Sequence, residues 1–302
     1  MFEAVAMARS RGHRTRYYRI YRDLLADGDL DAVVIATPDF WHQRMTLEAL
    51  QAGKDVYVEQ PLCRTWQEGV ALLAAERETR QIVQVGSQLR SSRVLSPKKQ
   101  RPRMVQGSAN ASYLRPGVLR RGGFKLRDPL NFVDWQAAAE AQVAYSPDRF
   151  LNWRFYSVYG GGCVTDLGTQ MMDGIHILAG LGFPESVQAN GVRSAEPDFD
   201  TAERATIMVR YREGPPVTLA IDGAAAIRQQ VIAIDGDAGR IDLRQVPDAT
   251  SRHLTNFFDS VRTRNAPNAP MSSAFPATLV CQMANLAMGA GRAVRWDGSR
   301  AV

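Results

Sequence analysis

Residues 31–61 read DAVVIATPDFWHQRMTLEALQAGKDVYVEQP, and the punctuation of this stretch decides the fold. Ala32 to Ala36 is a short, continuous apolar run rich in β-branched residues, as expected of a strand covered on both faces. Pro38 stops it, because proline cannot extend a ladder. Trp41 to Ala52 carries an imperfect helical stripe of Trp41, Met45, Leu47 and Leu50, and Gly53 stands where a helix cap belongs. Val56-Tyr57-Val58 predicts a second strand with Glu59-Gln60-Pro61 at its carboxyl end. Two parallel strands around one helix form a right-handed βαβ unit. Ligands bind at the carboxyl ends of such strands. Asp39 with His42, and Glu59 with Gln60, are therefore the first candidates for chemistry.

Working outward, Phe2 to Arg11 predicts a weakly amphipathic helix ended by Gly12, His13 to Tyr18 a short strand, and Tyr18 to Ala26 a second helix. Downstream, Thr65 to Thr79 predicts a strong helix, with Thr65 and Glu68 as a capping box. Ile82 to Gly86 is the next buried strand, followed by Ser87-Gln88-Leu89-Arg90. Ser91 to Arg103 combines two prolines with a run of Lys and Arg, which reads as a flexible basic linker. Beyond it, Val105 to Leu114 predicts the first strand of a second unit. VQANG, ATIMVRY, VTLAIDG, QQVIAID and GRIDLR follow at strand length, with turns at Gly214-Pro215-Pro216 and Asp235-Gly236-Asp237. His253 to Asn265 and Ala277 to Gly291 predict helices. The divisions expected are 1–93, a linker at 94–104, and 105–302.

The chain has 302 residues, enough for two domains with cores of their own. Its net charge is +6. No zinc finger, aromatic-interleaved RNA motif or helix-turn-helix accompanies that charge, so attraction for anionic ligands is expected rather than specific nucleic-acid binding. No apolar run approaches the roughly 20 residues of a membrane span, and Met1 to Gly12 lacks the pattern of a signal peptide. A cytoplasmic location is the expectation. Three widely spaced cysteines give neither a metal site nor a disulfide framework.

A second motif lies at 160–177, GGGCVTDLGTQMMDGIHI. Three glycines permit a close backbone approach before a helix. Asp166, Gln170 and Asp173, spaced i, i+4, i+7, share one helical face. Leu167, Met171, Met172 and Ile175 make that helix largely buried, and buried carboxylates require partners or a task.

ATP-x-x-x-H, AGK-x-V, E-x-P, the glycine triplet and the closing H-x-x-NF-x-D-x-VR … GR-x-V-x-WD together resemble the Gfo/Idh/MocA family of sugar oxidoreductases. The resemblance covers nearly the whole chain. It implies an α/β fold class: a partial Rossmann-type parallel sheet domain, then a C-terminal α+β domain with a large open antiparallel sheet. It implies NAD or NADP as cofactor near Thr37, Pro38, His42, Glu59 and Pro61. A carbohydrate is implied at Gln88, Arg90, Trp153, Arg154 and His176, and a homo-oligomer through the C-terminal sheet. The family pattern has Glu-Lys-Pro where this chain has Gln60, and GGG-x-x-x-D-x-G-x-H-x-x-D where it has Gln170. Asp166, Asp173, Gln170 and Gln60 are the expected catalytic set.

Two consequences follow. Lys and His carry protons near neutral pH, whereas glutamine only donates and accepts hydrogen bonds. Gln60 and Gln170 can therefore orient a sugar but cannot relay its proton. No G-x-G-x-x-G occurs in the chain, so the usual pyrophosphate cradle is missing and dinucleotide binding is expected to be poor. Without that first half the strand at Ala32 lies on a sheet edge. The reading preferred is an incomplete gene product or fragment, ahead of an edge covered by a partner or a sheet rebuilt with His13 to Tyr18. An impaired NAD(P)-dependent sugar or polyol oxidoreductase is the expected function. The alternatives are a redox-free glycosidase or lyase using Asp166 and Asp173, and a non-catalytic carbohydrate-binding or oligomer-forming homologue.

Overall fold

A computed structural model describes residues 2–95, 102–111, 131–194, 196–225, 228–234 and 239–302. The turn expected at Asp235-Gly236-Asp237, the end of the strand expected through Leu114, and most of the expected basic linker lie outside these residues.

The first unit opens with helices α1 (Phe2–Ser10) and α2 (Tyr21–Leu25). No strand forms over His13 to Tyr18; Arg16 and Tyr18 instead bond the Asp27 carboxylate, holding the segment as an irregular loop. The possibility of a sheet rebuilt from that segment is therefore corrected. Strand β1 (Ala32–Ile35) leads through a 3-10 turn at Asp39–Trp41 into α3 (His42–Gln51) and β2 (Asp55–Val58). Helix α4 (Trp66–Glu78) starts at the Thr65–Glu68 capping box, and β3 (Val83–Val85) closes the unit. The three strands are parallel in the order β1-β2-β3. β1 forms an edge, and Val34 on it is 58% exposed.

The second unit contains β4 (Val105–Asn110), the short helices α5 (Phe132–Trp135) and α6 (Pro147–Leu151), and the long helix α7 (Gly162–Ala179). Strands β5 (Ser186–Arg193), β6 (Ala202–Arg210), β7 (Val217–Asp222), β8 (Gln229–Ile234) and β9 (Gly239–Asp242) follow. Helices α8 (Thr250–Thr263) and α9 (Met271–Ala290) and strand β10 (Val294–Arg295) complete the chain. The seven-stranded sheet runs β10-β5-β6-β7-β4-β8-β9. It is antiparallel except where β4 lies parallel to β7, so the sheet is mixed rather than wholly antiparallel. β6 buries every second residue, as expected of a sheet with one covered face.

α7 lies on that covered face. Leu167, Met171, Met172, Ile175 and Leu178 are fully enclosed. Each contributes about 1.5–3 kcal/mol by leaving water, before the cost of ordering it.

The C-terminal helices return to the first unit and lock the two sheets together. Val85 donates its N–H to Ala269, and Tyr57 packs edge-on against Phe257. α9 begins six residues before the expected Ala277, with Pro276 buried inside it. Its start is tethered by Glu76 of α4, whose carboxylate accepts from the N–H groups of Met271 and Ser272 at 2.6 and 2.8 Å.

Candidate active site

The carboxyl end of β1 meets the glycine turn before α7. Asp39 sits in the 3-10 turn after β1 and is buried. A Cβ on Gly160 would stand 3.0 Å from the Trp153 ring and 3.4 Å from Oδ2 of Asp39, so the backbone here lies close against both side chains. Arg154 lies over the Trp153 ring at 4.3 Å, a cation–π contact, and its Nε donates to Oδ1 of Asp166 at 3.0 Å. Burial, then the charge of Asp166, pushes the Asp39 carboxyl well above the usual carboxylate range, while the Arg154 guanidinium pulls it back. A buried carboxyl whose pKa is raised thus shares this corner with a carboxylate paired with arginine. Such a corner can hold a polar ligand through hydrogen bonds from the guanidinium and to the carboxylate oxygens.

The aromatic residues between Leu130 and Tyr159 build the wall behind this corner. Phe40 meets Trp135 and Tyr159, each at 5.2 Å, and Trp41 Nε1 donates to the Trp135 carbonyl at 2.7 Å. These rings pack the two units together, while Trp153 with Arg154 faces the Asp39–Asp166 corner.

His42 is buried, with Nδ1 2.7 Å from the Pro61 carbonyl and Nε2 2.9 Å from the Thr37 carbonyl. Both partners are acceptors, and burial holds the ring below its usual pKa, so a neutral His42 donates to one of them. It clasps the loops after β1 and β2 to each other. Thr37 and Pro38 shape the first loop, and the Thr37 hydroxyl is buried without a partner. Burial raises the Glu59 carboxyl, which lies under Gly86: a Cβ there would come within 2.3 Å of Oε2. Gln60 donates to the Ser87 hydroxyl at 2.6 Å, and Pro61 follows it through a cis bond. Gln170 accepts from Nε2 of Gln230 on β8 at 3.0 Å.

Four of the expected site residues make bonds within the protein. Asp173 lies about 10 Å of helix rise beyond Asp166 and faces Arg90, at 2.7 Å, deep in the protein. Burial raises the Asp173 carboxyl to about 6, against the pull of Arg90. Arg90, expected at substrate, is spent on Asp173 and on the Ser273 carbonyl, because its loop packs beneath α7 and α9. Gln88 bonds the Tyr57 hydroxyl at 3.2 Å and reaches Glu59 at 3.5 Å, supporting the β2 end from below. His176 is 3% exposed and bonded to the Tyr211 hydroxyl at 2.7 Å; burial drives its pKa down to about 3. About four helical turns beyond the glycine triplet, it is packed in the interior.

Gln230 and Ser87 were not singled out in the sequence. Gln230 lies 60 residues from its partner on a strand with no motif, so only the folded sheet reveals it. Ser87 follows the β3 strand signal directly and was within reach of the rule that loops there face the site.

Residues 3–87 match the family model described as oxidoreductase family, NAD-binding Rossmann fold, and residues 136–242 match the GFO/IDH/MocA C-terminal domain. The chain belongs to the Gfo/Idh/MocA oxidoreductase family. Levoglucosan dehydrogenase of Pseudarthrobacter phenanthrenivorans is 25% identical over 244 residues, spanning 78% of this chain and 54% of that protein. The chain thus spans about half, or less, of the length of the relatives it matches. A glycosyl hydrolase family 109 protein of a Shewanella species is 54% identical over 48 residues, 16% of this chain and 10% of that protein. The solved complex of levoglucosan dehydrogenase with NADH and levoglucosan superposes with a TM-score of 0.75 at 18% identity, covering 98% of this chain and 88% of that one. GenD2 from gentamicin A biosynthesis, in complex with NAD, gives 0.74 at 17% identity over 97% and 86%. These structures share the fold of this Gfo/Idh/MocA member.

The family's dinucleotide was tested against the residues present. The ends of β1 and β2 offer Thr37, with its unpartnered hydroxyl, and the Glu59–Pro61 loop. The Gly-rich turn that would hold the pyrophosphate is not in the sequence. The described residues that could face the cofactor are those at the ends of β1 and β2. No described helix is long and apolar enough to cross a membrane, and no described cluster of His, Cys, Asp and Glu would hold a metal.

Proposed function

We propose that this chain is a sugar- or polyol-binding Gfo/Idh/MocA oxidoreductase whose redox turnover is impaired and whose proton-handling groups are Asp39 and Asp166. The observation that carries this reading is the buried Asp39, its carboxyl raised by desolvation, at the corner it shares with the Asp166–Arg154 pair and the Trp153 ring. Aromatic faces stack on sugar C–H surfaces, and an arginine–carboxylate pair hydrogen-bonds hydroxyls in fixed directions. Gln60 and Gln170, held by Ser87 and Gln230, orient the ligand without titrating. When bound, a nicotinamide accepts the hydride of a CH–OH group; in this chain its phosphates lack their usual cradle, so uptake is weak. The similarity to levoglucosan dehydrogenase makes levoglucosan and related pyranoses the first ligands to try. The seven-stranded sheet supplies the oligomer face. On its open side Met208 is 43% exposed.

The test is calorimetry of the full chain with NADH and with levoglucosan, followed by sugar-dependent NADH formation in the wild type and in a Gln60→Lys, Gln170→His double variant. Sugar binding with weak NADH uptake, and a rate that rises in the double variant, is the expected result. Tight, stoichiometric NADH uptake with rapid wild-type turnover would overturn the assignment.

A second reading has its own support: redox-free, carboxylate-led cleavage of a glycoside, using Asp39 and Asp166 in place of Asp166 and Asp173. The short match to glycosyl hydrolase family 109 proteins supports glycoside cleavage as a reaction class. Aryl-glycoside hydrolysis abolished by Asp39→Asn would establish it.

A further inference from the structure

A cleft of about 460 Å³ opens at the glycine turn, with Gly160 and Gly161 in its lining but neither Asp39 nor Asp166. Its walls are the start of α4 with Arg64 and Trp66, the end of α9 with Gln282 and Asn285, and the loop leading into β6 with Asp200 and Thr201. The volume lies within the range of small-molecule sites. Successive residues on a helix point about 100° apart. At the start of α7, Asp166 turns to Arg154, while a Cβ on Gly161 would meet Thr165 at 2.3 Å and Asn285 at 3.0 Å. The turn therefore borders both regions: Gly160 adjoins Asp39 and Trp153, and Gly161 packs against Thr165 and Asn285.

Two residues of the lining carry buried polar atoms left unmatched. Gln282 is 5% exposed; its Nε2 donates to the Cys63 carbonyl at 2.9 Å, which fixes the amide, and its Oε1 has no partner among the described residues. Thr201 is 7% exposed, and its hydroxyl has no partner among the described residues. An unmatched buried polar atom costs about 1–3 kcal/mol, which a ligand bond would recover. Gln282 offers an acceptor, so the ligand must donate; the threonine hydroxyl takes either role.

Three charged residues of the lining, Arg64, Glu140 and Asp200, are committed elsewhere, and Arg193 of β5 is the fourth charge of the lining. Arg64 pairs with Glu140 at 3.0 Å and donates to the Ser157 carbonyl at 3.1 Å. Asp200 accepts from the N–H and hydroxyl of Ser157 at 2.6 and 2.7 Å. A charged ligand would have to break these pairs, whereas a neutral, hydroxyl-rich one need not. Trp66 adds a partly buried ring, set edge-on against Trp296.

We propose that this cleft is a second saccharide site, taking a neutral pyranose or short oligosaccharide through the unpartnered Gln282 and Thr201 groups and the Trp66 ring. It stands apart from the reading of the Asp39 corner, and either can fail without the other.

The test uses calorimetry and saturation-transfer NMR on the full chain with cellobiose and D-glucose as probes. The variants are Thr201→Val and Trp66→Ala in the cleft, and Trp153→Ala at the Asp39 corner. Thermal melts first confirm that each variant is folded. The expected result is binding of a probe weakened about tenfold by Thr201→Val or Trp66→Ala and unchanged by Trp153→Ala. Should Trp66→Ala not fold, Thr201→Val alone decides, since it removes one hydroxyl at constant shape. No binding of either probe, or binding lost only in Trp153→Ala, would overturn the proposal.

Discussion

Nε of Arg90 lies 2.7 Å from Oδ1 of Asp173, joining the loop after β3 to the buried face of α7. The carboxylate side chain is 1% exposed and the guanidinium 16%. The pair is thus a cross-link between the two units. Removing one partner of a buried pair costs about 3–5 kcal/mol, because the other charge is left uncompensated.

That cost depends on pH in a definite direction. Burial raises Asp173 to about 6, so its stabilising contribution is present below the ordinary aspartate value and is lost as pH rises through about 6. Deleting Arg90 removes the group that opposes this rise. In Arg90→Leu the loss of stability is expected to be about 3–5 kcal/mol at pH 7.5 and markedly smaller at pH 5, where Asp173 takes a proton. Urea denaturation at both pH values checks this, and an equal loss at both would refute it.

The Asp39 carboxyl is expected to respond to the charge of Asp166. The charge of Asp166 is the second cause, after burial, of the raised Asp39 carboxyl. Asp166→Asn should therefore lower the pKa of Asp39, and Arg154→Ala should raise it. Carbon-13 NMR of labelled aspartate reads both shifts, and an unmoved Asp39 resonance in Asp166→Asn would refute the coupling.

Acid sensitivity is expected from His176. Its pKa is depressed to about 3 by burial, so its contribution is intact above the ordinary histidine value of 6.5 and is lost as pH falls toward 3. The unfolded chain takes up a proton there that the folded ring refuses. His176→Asn should flatten the fall in stability between pH 6.5 and 4, whatever it costs at pH 7.5. A slope as steep as that of the wild type would contradict the assignment.

The seam between α4 and α9 yields two structural tests. A Cβ on Gly69 would lie 1.9 Å from the Phe275 ring, which is itself fully buried. Gly69→Ala should therefore destabilise the protein by about 1–3 kcal/mol through overpacking, although alanine is the better helix former. Glu76→Ala removes the caps on Met271 and Ser272 and should cost about 0.5–2 kcal/mol. Thermal melts measure both, and a stabilised Gly69→Ala would show that the seam is looser than the structure has it.

The sequence determined the order and type of most elements. Residues 31–61 carried the βαβ unit because local signals coincide there: a β-branched run, a proline stop, a helical stripe and a glycine cap. The capping box at Thr65 and Glu68 was legible for the same reason, since both partners lie within one turn. The two glutamines standing where proton carriers are expected were also visible from position alone.

What the sequence did not determine is which distant groups meet. The i, i+4, i+7 stripe placed Asp166, Gln170 and Asp173 on one face of α7. That face runs past Arg154, then Gln230, then Arg90, so the three residues have three different environments. Asp39 becomes an acid, and His176 a neutral core ring, only because the tertiary structure excludes water from both. Desolvation and charge pairing act through space, and a linear pattern fixes only a residue's own side of its own element.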